Sequence, residues 1–301
     1  MNVVALSGGV GGARLLYGLE RALPPGELTA IVNTGDDFIH LGLRICPDLD
    51  TVMYTLADLG DVERGWGLAN ESFAAMEMIK RYGGADWFSL GDRDLGTHLL
   101  RLEALLAGES LTAITARLCR ALSVSATILP MSDGVCPTKI QTESDGTLPF
   151  QEWFVRARAT PRVKKVRCAK GTATRQVTAA LECADLVIIS PSNPYVSIDP
   201  ILSLPGVRAR ISGKRVVAVS PIVGGAAIKG PLGSMIESLA GVAPSPTAIA
   251  HHYGSILRGM VLESGDRCEG LPTLATRTVM RDRNDSVRLG REVLSFAQEL
   301  S

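Results

Sequence analysis

Apolar residues recur along this chain in two periods, and the switches between them predict its elements. Val3-Val4-Ala5-Leu6 is a short apolar run. It breaks into Ser7-Gly8-Gly9-Val10-Gly11-Gly12 and resumes as helix-forming residues, the pattern of strand, loop and helix. The helix covers 14–23 and is stopped by Pro24-Pro25-Gly26, and a second buried strand covers 28–33. Helical spacing then dominates at 48–59, 72–82, 97–107 and 111–123. Asp48 or Asp50 and Ser110 stand at capping positions, and Gly83-Gly84 ends the second of these helices. Strand character returns at 126–130, 138–142, 150–155 and 163–168, with a hairpin turn at Ser144-Asp145-Gly146. After a helix at 174–183, the runs 185–190 and 215–220 are continuously apolar, as in parallel strands covered on both faces. Helices at 233–239, 246–257 and 285–300 and short strands at 260–263 and 276–280 complete the chain. This alternation predicts an α/β fold with a doubly wound, mostly parallel sheet. A single domain over 1–301 would carry a helix-rich insert at about 50–123.

Composition narrows the function. The chain has 301 residues, is 46% hydrophobic and has a slightly positive mean hydropathy, enough for a substantial core. Its 31 basic residues balance 31 acidic ones, which argues against a nucleic-acid binder built on a basic face. Six scattered cysteines contain no Cys-x-x-Cys pair, so neither a zinc site nor a disulfide framework is expected. No apolar run reaches membrane-spanning length and no secretory leader opens the chain, so a cytoplasmic protein is expected.

In open α/β sheets, ligands sit outside the carboxyl ends of the strands, where the strand order reverses. The predicted strand ends carry Ser7-Gly8-Gly9, Asn33-Thr34-Gly35-Asp36-Asp37, Ser190-Pro191-Ser192-Asn193-Pro194 and Ser220-Pro221-Ile222-Val223-Gly224-Gly225. Four polar loops would meet along one edge. The first is a cradle for a phosphorylated ligand, through inward N–H groups and the positive end of the helix behind it. A plain tight turn is the alternative. The loop lacks the Gly-Lys-Ser/Thr of a P-loop, and Arg14 stands where a dinucleotide loop has its third glycine. Asp36 and Asp37 suit either a ribose or a divalent cation on a diphosphate.

Other stretches read two ways. Asp48 and Asp50 are either a helix cap with a first-turn acid or a substrate or metal contact. Leu90-Gly91-Asp92-Arg93-Asp94-Leu95-Gly96 is either a capped turn or a ligand site in which Arg93 grips phosphate. Trp66 is either core or a stacking surface for a flat ring. Lys164-Lys165-Val166-Arg167 reads as a solvated strand face, and His251-His252 face different directions on a helix and do not form a zinc pair.

Taken together, Leu6-Ser7-Gly8-Gly9-Val10-Gly11-Gly12, Asn33-Thr34-Gly35-Asp36-Asp37, Pro47-Asp48-Leu49-Asp50-Thr51, Leu90-Gly91-Asp92-Arg93-Asp94, Pro130-Met131-Ser132-Asp133, Pro191-Ser192-Asn193-Pro194 and Val219-Ser220-Pro221-Ile222 resemble the 2-phospho-L-lactate transferase family, in that family's order. The resemblance implies a Rossmann-like fold with a helical insert, usually as a homodimer, and a magnesium requirement. It implies transfer of a phosphorylated three-carbon acid (phospholactate, phosphoenolpyruvate or phosphoglycerate) from a guanosine-diphosphate-activated donor to the deazaflavin precursor Fo. GMP would be released, in coenzyme F-420 biosynthesis. Carried over by position, Gly8, Gly9, Gly11 and Gly12 would take the diphosphate, and Ser192 and Asn193 would help hold the guanosine end. Asp50 and Ser89 fall on deazaflavin contacts, with Arg93 beside them to compensate for a serine where a basic residue is common. Asp50 and Arg93 would be catalytic, and Asp36, Asp37 and Asp50 are the metal candidates. Two rivals share part of the pattern: a nucleotide-sugar-binding regulator of the gluconeogenesis-factor type, and an NAD-dependent oxidoreductase favoured only by the glycine loop and Asp36.

Overall fold

The apolar runs pair side by side in a computed structural model that describes residues 1–228 and 230–300. β1 (Val3–Ser7) runs into α1 (Gly9–Ala22) and β2 (Leu28–Val32). A hairpin of β3 (Phe38–His40) and β4 (Leu43–Ile45) follows. Four helices come next: α2 (Pro47–Leu56), α3 (Ala74–Arg81), α4 (Asp92–Leu106) and α5 (Leu111–Ala121). β5 (Thr127–Pro130) precedes a three-stranded antiparallel sheet of β6 (Thr138–Thr142), β7 (Thr147–Pro149) and β8 (Val163–Cys168). The chain continues through α6 (Arg175–Cys183), β9 (Leu186–Ile189), α7 (Asp199–Leu202), α8 (Val207–Ile211) and β10 (Arg215–Val219). A small hairpin of β11 (Ile222–Val223) and β12 (Ala226–Ala227) leads to α9 (Leu232–Ala240), α10 (Pro246–Tyr253), β13 (Gly259–Glu263), β14 (Thr273–Thr276) and α11 (Arg283–Glu299).

The main sheet has seven strands in the order β14-β13-β10-β9-β1-β2-β5, with every neighbouring pair parallel. Counted along the chain, this is the Rossmann order 3-2-1-4-5-6 with a seventh strand added at one edge. Strand alternation divides the core. Val3 and Ala5 of β1, Leu186 and Ile188 of β9, and Val217 and Val219 of β10 join α1, α2 and α11 on one face. Val4 and Leu6, Val187 and Ile189, and Val216 and Ala218 join α6, α8, α9 and α10 on the other. Burial on both faces is why these strands read as continuous apolar runs. α1 and α11 cross closely because both lack a side chain at the contact: a Cβ on Gly290 would lie 2.6 Å from the Gly18 carbonyl carbon.

The structure departs from the sequence reading in places. Residues 150–155 are not a strand: Glu152–Arg156 form a π-helical turn after β7. That turn lets Phe150 and Trp153, three apart, bury together against Ile140 and Val163. The last sheet strand is Thr273–Thr276, earlier than 276–280. α10 stops at Tyr253 because Gly254 turns the backbone to φ +63°. α1 starts at Gly9, so the glycine loop is already the helix's first turn. The sheet order reverses between β1 and β9, and that point places the site.

Candidate active site

A cavity of about 760 Å³ opens at the carboxyl ends of β1 and β9, lined by Gly8, Gly9 and Gly11 on one side and by Pro191, Ser192 and Asn193 on the other. Ser220 and Pro221, after β10, and Asp36, after β2, also reach it. The polar loops from four separate strands therefore do meet. Ser192 ties two of them together: its Oγ accepts the Gly8 N–H at 3.1 Å and donates to the Gly8 carbonyl at 2.7 Å. Asn193 Oδ1 accepts the Tyr195 N–H at 3.0 Å and so shapes the turn behind the cavity wall.

The glycines serve packing as much as ligand access. A Cβ on Gly8 would sit 2.6 Å from Asp48 Oδ2, and one on Gly11 2.9 Å from the Pro191 carbonyl. Gly12 is pressed against the Ser7 and Ser192 hydroxyls. Gly9 differs: its φ is +66°, and its Cβ position faces open space. α1 has no side-chain cap from Gly8 and no acid in its own first turn. Asp48, from the first turn of α2, takes that place instead. Its Oδ1 accepts the Gly9 N–H at 2.7 Å, and its Oδ2 accepts Asn33 Nδ2 at 2.9 Å. A carboxylate already rests where a helix N-terminus favours an anion.

Two carboxylates, Asp36 and Asp48, face the cavity. Burial pushes the Asp48 carboxyl up to about 6, against the pull of its bonds from Asn33 and Gly9. Burial, then the neighbouring Asp48 charge, lifts Asp36 well above the usual carboxylate range. Asp36 Oδ1 is buried with no hydrogen-bond partner. Two mutually repelling carboxylates with an unsatisfied oxygen form a cation-seeking arrangement. Among the described residues, no three His, Cys, Asp or Glu side chains are spaced to hold a metal by themselves. Magnesium characteristically takes one or two carboxylates and completes its shell with substrate phosphate and water, and the pair fits that pattern.

The other metal candidates point elsewhere. Asp37 turns from the cavity to Arg44, whose Nε and Nη2 donate to its Oδ2 at 3.1 and 3.0 Å, and Cys46 Sγ donates to the same oxygen. Burial outweighs these partners and raises the Asp37 carboxyl to about 6. Asp50 does not line the cavity either. It is buried, with both oxygens gripped by the Arg101 guanidinium. On the same network, Asp94 accepts the Tyr54 hydroxyl at 2.6 Å and lies 3.3 Å from His98. Two residues along a helix lie about 200° apart around its axis, so Asp48 and Asp50 serve opposite sides of α2.

Arg93 is likewise away from the cavity, exposed, with Nη1 donating to the Ala69 carbonyl at 2.9 Å. The described guanidinium groups that reach the lining are those of Arg14 and Arg64. Arg14 bridges two cavity-wall segments, donating to the Met280 carbonyl at 2.7 Å and the Val62 carbonyl at 3.2 Å. Ser89 does line the cavity, beside Trp87 and Phe88. Trp66, 43% exposed, and Phe154, 38% exposed and stacked on Phe150, extend the aromatic lining. One end of the cavity is therefore suited to a phosphate anion and a cation, and the remainder to flat aromatic surface.

Comparison with known proteins finds relatives along the whole chain. A family model described as 2-phospho-L-lactate transferase CofD matches residues 3–267. A phosphoenolpyruvate transferase of Streptomyces coelicolor is 39% identical, over 100% of this chain and 99% of its own length. One of Mycobacterium avium is 43% identical, over 94% of each chain. Among solved structures, a member of the upf0052 family from Bacillus halodurans superposes with a TM-score of 0.65 at 18% identity, covering 97% of this chain and 98% of its own, a likeness of fold.

Proposed function

This chain belongs to the CofD family of 2-phospho-L-lactate transferases, and from that premise we propose that it moves a phosphorylated three-carbon acid from a guanosine-diphosphate-activated donor to the deazaflavin precursor Fo, releasing GMP. As a family member it is an enzyme that transfers a phospholactate or phosphoenolpyruvate group. The name shared by full-length relatives at about 40% identity favours the phosphoenolpyruvyl group. The guanylylated donor, Fo as acceptor, the place in coenzyme F-420 biosynthesis and a homodimeric state are parts of the same proposal, and light scattering at twice the chain mass tests the last.

The observation that carries the reading is the two-ended cavity. The glycine loop and the Asp36–Asp48 pair occupy one end, and Trp66, Trp87, Phe88 and Phe154 supply flat surface elsewhere. Transfer joins the terminal ribityl oxygen of Fo to the phosphorus bearing the acid, the hydroxyl proton passes to solvent, and the bond from that phosphorus to the bridging oxygen breaks, so that GMP leaves with that oxygen. Such reactions depend on positioning and charge neutralisation more than on covalent help from the protein. The amides of Val10 and Gly11 at the start of α1 hold diphosphate oxygens, while Ser192 and Asp48 take the Gly8 and Gly9 N–H groups and fix the loop that presents them. The aromatic wall aligns the ring so that its side chain reaches the phosphorus. Asp36 and Asp48 are the residues that would hold magnesium, which when bound supplies positive charge to the diphosphate. Asp50 keeps a supporting role, since it lies outside the cavity lining, ion-paired with Arg101.

The test is direct. The purified protein is incubated with Fo, magnesium and each guanylylated acid in turn, and the products are weighed by mass spectrometry. GMP should appear in equal amount with the Fo adduct, fastest from the phosphoenolpyruvyl donor. Nucleotide binding with no GMP release from any donor would instead identify a regulator.

A further inference from the structure

Charge is unevenly distributed along this neutral chain. Residues 138–175 contain nine Lys and Arg against three Asp and Glu, an excess of six that the rest of the chain offsets. All nine basic side chains are exposed. The segment is the small sheet β6–β7–β8 with its helical turn. Its inner face, through Ile140, Trp153 and Val163, packs on Val196 and Met235, which fixes it beside the cavity. Phe150, Gln151, Phe154 and Val155 from the same segment form part of the cavity wall.

Its outer face is basic by register. Lys139 stands directly opposite Arg167, and Gln141 opposite Lys165. Residues two apart share a face, so Lys139, Lys165 and Arg167 stand together. Lys164 is exposed at the irregularity beside them. Like charges opposed across a ladder cost stability. No acid offsets them: of the nine, only Arg156 and Arg162 have a carboxylate within reach, at 4.0 and 3.8 Å, among the described residues. The cavity itself carries no cationic excess, since Arg14 and Arg64 in its lining are matched by Asp36 and Asp48. A ligand with a diphosphate and a carboxylate therefore gains little long-range attraction from the cavity's own side chains, and a cationic surface beside it would supply that attraction.

We propose that the basic face of β6 and β8 is an electrostatic guide that draws the anionic nucleotide donor to the cavity. The guide rests on the transferase reading above, which supplies the ligand. A cationic surface beside a cleft raises association rates by about 10- to 1,000-fold, and salt screens the effect over about 8–10 Å at physiological strength.

Trp66 and Trp87 line the cavity and report binding by their fluorescence. The association rate of GDP with magnesium is measured by stopped flow at low and high salt. The comparison protein carries Lys139→Gln, Lys164→Gln, Lys165→Gln and Arg167→Gln, and a milder one only Lys165→Gln and Arg167→Gln, should the fourfold change impair folding. The unaltered protein should lose about tenfold in association rate between low and high salt. The variants should be slower at low salt and converge with it at high salt, with unchanged dissociation and unchanged turnover at saturating donor. Association of Fo, which carries no phosphate, should respond far less. GDP that binds at a rate indifferent to salt and to these substitutions overturns the guide alone. A protein that binds no GDP overturns the transferase reading and the guide with it.

Discussion

Replacing Asp48 by asparagine removes one of the two carboxylates that face the cavity, and it should stabilise the protein increasingly as pH rises through about 6. In the folded protein the Asp48 carboxyl sits at about 6, against 3.8 for an ordinary aspartate. The native state therefore binds this proton more tightly than the unfolded chain does. The stability contributed is fully present below 3.8 and is lost as pH rises through about 6. At 1.36 kcal/mol per unit, ionising Asp48 costs the native state about 3 kcal/mol. Asparagine escapes that cost. Like the protonated carboxyl it replaces, it offers one carbonyl oxygen to Gly9 or Asn33, and the worth of both bonds to the ionised form is already contained in the value of about 6. The Asp48→Asn variant should thus match its parent to within about 1 kcal/mol near pH 4 and be more stable by about 3 kcal/mol near pH 8. For a chain of this length that is a melting temperature little changed near pH 4 and higher by roughly 6 °C near pH 8. Relief of the repulsion on Asp36 adds to the high-pH gain. Calorimetry in chelator at both pH values makes the measurement, and transfer activity should be lost throughout. A variant that melts lower than its parent by the same margin at both pH values would refute the electrostatic reasoning.

Three further outcomes follow from named contacts. Arg101→Met leaves Asp50 buried without its partner, so urea unfolding should show a loss of about 3–5 kcal/mol, and Arg101→Met with Asp50→Leu should recover most of it. Gly9→Ala meets no neighbour but forces an L-residue to positive φ, so it should cost only about 1–2 kcal/mol while GDP affinity by calorimetry falls at least about tenfold, whereas Gly8→Ala, pressed on Asp48 and Ser197, should lose stability first. Trp66→Ala should raise the KM for Fo and leave that for the donor nearly unchanged in steady-state kinetics, because it removes a ring and no charge.

The sheet was legible because burial on both faces leaves continuous apolar runs, and the polar strand ends alone pointed to the switch point between β1 and β9. Short, locally weak elements were not. β3 and β4 are three residues each, joined by Leu41-Gly42 with Leu41 itself at φ +51°, a turn without a recognisable sequence signal. Residues 150–155 are rich in aromatics that suit a strand, yet the pairing of Phe150 with Trp153 needs helical spacing. At the site, the acids were legible as a group but not their directions. Asp36 and Asp37 are neighbours facing different partners, and Asp48 and Asp50 lie on opposite sides of one helix. Asp48 and Asn33 both fall within polar stretches of the sequence. What singles them out is Gly9, whose N–H meets a carboxylate 39 positions later. Arg101 gave no signal at all, since a buried arginine looks like any helix-surface arginine until its acid, 51 positions away, is placed against it.

The central claim is that the start of α1, with Asp36 and Asp48 beside it, grips the diphosphate of a guanosine nucleotide. A crystal of the protein soaked with GDP and magnesium measures this most directly. Phosphate oxygens should lie within hydrogen-bonding distance of the amides of Val10 and Gly11, with the metal beside phosphate and the two aspartates. Nucleotide bound away from the glycine loop, or a metal held by Asp37 or Asp50, would contradict it.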